Sequence, residues 1–121
     1  MATRSFTRTQ ASGRVHRFVW TGLLNGDDGD PVSIPGAADM TGQVIVAAAG
    51  VGDTIIFEGS CEEAPATNYF QLRDGGDNLI SFTGDDGEML INMVAFIRPR
   101  VTAGDGTTNF TAILLARSTM R

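Results

Sequence analysis

Lysine is missing from this 121-residue chain; all nine cations are arginine. A phosphate-cradling loop of the G-x-x-x-x-G-K-[ST] type is therefore impossible. Cys61 is the single cysteine. It excludes an intrachain disulfide and a thiolate metal cluster, and a reducing environment is expected. No basic neighbour stands close in sequence to activate Cys61, so it reads as a small packing residue. His16 is the single histidine and lies beside Arg17 in a strand-like stretch. No G-x-S-x-G or comparable motif accompanies it, so neither a Ser-His-Asp nor a Cys-His arrangement is supported. We expect no enzyme and no cofactor. Trp20 and Tyr69 are the only residues of their kinds, which is sparse for a sugar-binding face. No apolar run approaches the ~18 residues of a membrane span. No apolar stretch follows the early arginines, so no leader is expected.

What is present points to one β-rich domain. The length suits a single core, and the fifteen glycines suit many tight turns. Residues 1–12, "MATRSFTRTQAS", have no evident period and are read as a flexible arm, with a single domain over 13–121. Net charge is −5, yet Arg4, Arg8, Arg14 and Arg17 all precede the first acid, and every acid lies between Asp27 and Asp105. The arm is either a solvated tail or a segment that docks on an acidic protein surface through bidentate arginine contacts. The acidic body argues against nucleic acid.

The body reads as short strands between turns. They are "VHRFVW" (15–20), "PVSIP" (31–35), "QVIVAAA" (43–49), "DTIIFEG" (53–59), "NYFQLR" (68–73), "NLISFTG" (78–84), a long stretch over 87–102 and "TNFTAILLAR" (108–117). "GVG" and "DGGD" are read as hairpin connections. In the last strand Phe110, Ala112 and Leu114 alternate with Thr111, Ile113 and Leu115. A helix competes over 87–97, but Pro99 favours a strand from Val94 onward. About eight strands at this spacing suggest an antiparallel β-sandwich or jelly roll.

"NGDDGD" (25–30), "DGGDN" (74–78), "GDDGE" (84–88) and "GDG" (104–106) raise the question of calcium. Counted from Asn25, acids fall at the third, fourth and sixth places, and Gly36 occupies the twelfth, where an EF-hand needs glutamate. "GGDNLISF" has the look of a calcium-binding nonapeptide repeat but occurs once. Asp-Gly and Asn-Gly pairs are what tight turns require, so turns are expected and no metal.

Several pieces together carry a resemblance: "WTGLLNGDDGDPV" (20–32), "AADM" (37–40), "FEGS" (57–60), "NYFQLRD" (68–74), "GDNLISFT" (76–83) and "IRPRVTAGDGTTNF" (97–110). Over residues 15–116 the chain resembles the small β-rich structural proteins encoded among the head genes of tailed bacteriophages, the cement or head-decoration type. It departs after "EGS", where the group often carries an Asn-Asp-Gly turn leading to Trp; here "CEEAPATNY" follows. The resemblance implies a jelly-roll protein on the outer face of the virion capsid, made in the host cytoplasm, bridging major capsid proteins. It also implies a homo-oligomer, a dimer on local two-fold axes first and a trimer second. The expected contacts are Arg4, Arg8, Arg14 and Arg17 with Phe6 as apolar anchor, and Arg98 and Arg100 flanking Pro99. A tail- or neck-associated module, structural or carbohydrate-binding, is the competing expectation.

Overall fold

Strand β12 (Asn109–Ser118) organises half of the molecule, because its alternation leaves one side wholly apolar. Phe110, Ala112 and Leu114 are completely buried and Ala116 nearly so. The computed structural model describes residues 2–33, 37–90 and 94–118. Among them lie twelve strands and no helix. β12 takes β3 (Val15–Leu23) on one edge and β6 (Ala37–Ala48) on the other, both antiparallel. β2 (Phe6–Ser12) extends this sheet beyond β3, and β10 (Asp86–Leu90) extends it beyond β6. The five-stranded order is β10-β6-β12-β3-β2.

The second sheet centres on β11 (Phe96–Ala103) and β7 (Thr54–Ser60), which pair antiparallel. Short pieces complete it. β4 (Asp28–Gly29) and β5 (Val32–Ser33) lie along β11, while β8 (Phe70–Gln71) and β9 (Ser81–Phe82) lie along β7. β1 (Thr3–Arg4) runs parallel to β4, so this sheet is mixed. The sheets face each other over one core that includes Trp20, Leu23, Val44, Ile55, Phe57, Ile97, Phe110 and Leu114. Gly42 of β6 faces Phe57 of the other sheet, and a Cβ there would sit 2.7 Å from that ring. A glycine in a strand interior here makes room for a large side chain from the opposite layer.

Four expectations change. The arm is not free: residues 3–4 and 6–12 are strands. β3 offers an open edge opposite β12, and Phe6 packs edge-on against Phe18 and Trp20 at 5.7 and 5.8 Å. Its Thr/Arg-rich composition hides a period of two, with Phe6 opposite Trp20 and Arg8 opposite Phe18. Next, "GVG" does not close a hairpin, because β12 and β10 occupy both edges of β6, and β7 therefore enters the other sheet. The "DGGD" turn does bring its flanks together: Asp74 N–H donates to Asn78 O at 2.9 Å and Ile80 N–H to Leu72 O at 2.8 Å. Thirdly, the stretch over 87–102 divides into β10 and β11, with residues 91–93 outside the described residues. Fourthly, strands number twelve rather than eight, since β1, β2, β4 and that division were not foreseen.

Deleting residues 1–12 should therefore destabilise the fold by about 2 kcal/mol, as a half-buried aromatic and the donors to a buried carboxylate are lost. Urea unfolding checks this; an unchanged midpoint would mean the strand pairing contributes nothing.

Candidate functional site

The expected contact residues separate into two groups. Arg98 and Arg100 project from β11 on the side away from the core, between buried Ile97, Pro99 and Val101. Glu58 of β7 is paired in register with Arg98 and is only 3% exposed. Arg98 Nε donates to Glu58 Oε1 at 2.7 Å and Arg100 Nε to Oε2 at 3.1 Å. A guanidinium nitrogen of Arg98 lies 3.3 Å from Asp28, and its carbon lies 3.8 Å from the centre of the Tyr69 ring. Burial pushes the Tyr69 phenol up, against the opposing pull of Arg98. Arg4 is spent similarly: its Nε donates to Asp27 at 2.9 Å. Burial alone would raise Asp27, but donation from Leu24 N–H, Ala2 N–H and Arg4 outweighs it and holds the carboxyl low.

The loop over 61–69 lies on this outer face and is held by Glu62. That carboxylate accepts from Asn68 N–H at 2.7 Å, Thr67 N–H at 2.9 Å, Asn68 Nδ2 at 3.1 Å and Ser60 Oγ at 3.3 Å. These donors, Asn68 foremost, lower Glu62 to about 2 from an ordinary 4.5. A lowered folded value means that its stabilisation is complete above about 4.5 and is lost as pH falls toward about 2. Glu62→Gln should flatten the acid limb of a melting-temperature profile within that window. A limb of unchanged slope would assign it to other carboxylates.

Arg8, Arg14 and Arg17 form the second group. All three are exposed and sit in the β2–β3 hairpin or its turn. Arg8 reaches the Phe18 ring at 5.9 Å and His16 Nδ1 at 3.3 Å. Arg17 has no carboxylate partner among the described residues. The arginines named from the sequence therefore do not form one patch: those of β1 and β11 are consumed within the chain, and those of the hairpin remain available.

The Asp-Gly stretches form turns, except that β4 (Asp28–Gly29) lies within 25–30 and β10 (Asp86–Leu90) begins within 84–88. Asp27 accepts from Leu24 N–H at 3.0 Å, and Gly26 takes φ +84°. Asp74 accepts from Gly76 and Asn78 N–H at 2.8 and 3.0 Å. Asp85 accepts from Val46 N–H at 2.7 Å, and Asp105 from Val51 and Thr107 N–H at 2.8 and 2.9 Å. These oxygens already have donors that a cation would have to displace. Addition of calcium or of EDTA should leave the melting temperature unchanged; a calcium-reversible drop of several degrees would contradict it.

One feature escaped the sequence reading. On the five-stranded sheet the side facing away from the core carries Val15, Val19, Ile45, Met89, Ile113 and Leu115. Ile45 is 39%, Leu115 37% and Met89 55% exposed. The signal lay in "TAILLAR": a strand apolar on both sides is the mark of a strand covered on both faces. Glu58 was also missed, although a carboxylate inside "TIIFEGS" marks a charge that needs a partner.

No protein-family model matches the chain, and no curated protein matches it. Among solved structures, the SPBc2 prophage-derived protein YomS aligns with a TM-score of 0.62 at 11% identity, covering 91% of this chain and 100% of that one. That likeness supports the sandwich-like all-β fold. Protein NMB1881 from Neisseria meningitidis (TM-score 0.41, 11% identity, 93% of this chain and 82% of that one) aligns less well. So does a carbohydrate-binding module from Cellvibrio mixtus lichenase 5A (TM-score 0.35, 16% identity, 96% and 86%). Nothing further is built on those two.

Proposed function

We propose that the protein is a structural virion protein of a tailed bacteriophage, a cement or decoration protein of the jelly-roll type that binds the outer face of the major capsid protein shell. The observation that carries this reading is the fold likeness to a prophage-derived protein over the whole of that chain. The strand order supports the jelly-roll part. β3-β12-β6-β10 lie side by side in one sheet and β4/β5-β11-β7-β8/β9 in the other, so from β3 onward the chain crosses between layers at every step except within β4/β5 and from β7 to β8/β9, as two interleaved Greek keys require. In this reading the chain performs no chemistry and works by contact. Arg8, Arg14 and Arg17 are the cations still free to meet carboxylates on a capsid subunit, whereas Arg4, Phe6, Arg98 and Arg100 hold the fold. The protein acts as a homo-oligomer, a dimer in preference to a trimer, so that many symmetry-related contacts add up over the lattice.

The test is direct. Purified protein is mixed with expanded capsids that lack it, and bound copies are counted. Saturable binding that Arg14→Glu weakens supports the proposal. Binding to tails or necks and not to capsids would move the protein to the competing module. Binding to neither would remove the virion reading.

A further inference from the structure

We propose that the outer face of the five-stranded sheet is a self-association surface, on which a second copy packs face to face about a two-fold axis running along β12. Antiparallel sandwiches ordinarily present polar side chains outward. Here the central strand places Ile113 and Leu115 outward, with Val19 and Val15 beside them on β3. Ile45 on β6 and Met89 on β10 extend the apolar strip.

The register makes this face complementary to itself. Across β3, β12 and β6 it presents three rows: Val19, Ile113, Gln43; then Arg17, Leu115, Thr41; then Val15, Arg117, Asp39. Arg17, which has no carboxylate partner among the described residues, stands on one side of β12, and Asp39 stands on the other. Rotation about an axis along β12 preserves height along the strand and exchanges the two sides. The outward residues of β12 then meet their own counterparts, Ile113 and Leu115 as apolar pairs and Arg117 as a like-charged pair that Asp39 of each chain has to offset. Arg17 comes to lie over β6 of the second copy, within reach of Asp39 there, and the reciprocal pair forms as well. Asp39 already receives a guanidinium hydrogen bond from Arg117 of its own chain, so it would sit between two cations.

Size and shape agree. Five strands ~4.8 Å apart and about seven residues long at ~3.4 Å each present roughly 500 Å² in projection, and corrugated side chains present more. A standard interface needs about 800 Å² of accessible surface per partner, so the face suits a modest dimer. A shallow depression of about 160 Å³ beside Val15, Thr41 and Leu115 leaves room for interdigitation. Among the described residues the outer face of the other sheet is different, since it carries the Glu58 ion network with Tyr69 against Arg98. The inference does not depend on the virion reading.

Sedimentation equilibrium of the full chain tests it. The wild type is expected to form dimers, and Leu115→Glu or Arg17→Glu should each weaken them by about tenfold or more. Arg17 is exposed, so Arg17→Glu reports on association even if Leu115→Glu impairs folding. In a Cys61→Ser background, Ile113→Cys should give covalent dimers with a short bismaleimide, whereas Val51→Cys, 82% exposed and off the face, should not. A monomer at every concentration, or a dimer that neither variant weakens, overturns the proposal. A monomer that still binds capsids overturns this inference and the homo-oligomer of the proposed function but leaves capsid binding standing; a dimer that ignores capsids overturns only the virion reading.

Discussion

Trp20→Ala is expected to destabilise the protein by about 3–5 kcal/mol, the cost of emptying a large aromatic site in a close-packed core. Trp20 has no exposure to solvent. Its indole N–H donates to Asp30 O at 3.0 Å, and Phe6 packs edge-on against its ring. The neighbouring backbone is fitted to it as well. A Cβ on Gly29 would lie 2.5 Å from the ring and 2.7 Å from Pro99 Cδ, so β4 can pass only as glycine. Trp20 thus joins β2, β3 and β4 across both sheets. Urea unfolding gives the number. A loss below about 1 kcal/mol would show that the surrounding strands close over the gap, contrary to the rigidity argued from packing density.

Glu58→Gln should cost about 2–4 kcal/mol. Breaking a buried pair leaves its partner charge uncompensated, which costs ~3–5 kcal/mol in fully buried cases. The lower figure reflects the partners: the Arg98 side chain is 21% and the Arg100 side chain 43% exposed, so water can recover part of the loss. Arg98 would keep Asp28 and the Tyr69 ring. Glu58→Leu separates charge from shape: it should be at least as damaging, because it keeps bulk and removes both acceptors. A Gln variant as stable as wild type would mean that the two arginines hydrate fully without it.

The strands most legible in the sequence were those with strict alternation. β12 and the 79–83 stretch follow period two, and Phe110, Leu114, Ile80 and Phe82 are buried as that period requires. The turns at Asp27, Asp74 and Asp105 were legible for the same local reason, since each of these carboxylates bonds its own neighbouring backbone, whereas Asp85 reaches Val46 of another strand. Pairing was far less legible. "GVG" has the chemistry of a tight turn, and Gly52 does take φ +72°, yet which sheet β7 joins depends on edges already filled by β10 and β12. The first twelve residues were read by composition, and their partner edge on β3 lies outside what composition can reveal. The surroundings of the expected contact residues were hidden in a similar way. Arg4, Arg98 and Arg100 are long cations on short strands, but only the fold places Asp27, Asp28 and Glu58 beside them.

The middle position of β12 has a consequence for synthesis. Its two neighbours, β3 and β6, are made long before it, and in the folded sheet β12 stands between them. β11, made just before it, is likewise interior to the other sheet. A growing chain emerging from the ribosome therefore cannot complete either layer piecemeal from its first residues. Its apolar strands wait, with open edges, until Asn109–Ser118 have appeared. Folding is thus expected to be all-or-none and late, and the interval before it is when the nascent chain is most exposed to aggregation or to holdase chaperones.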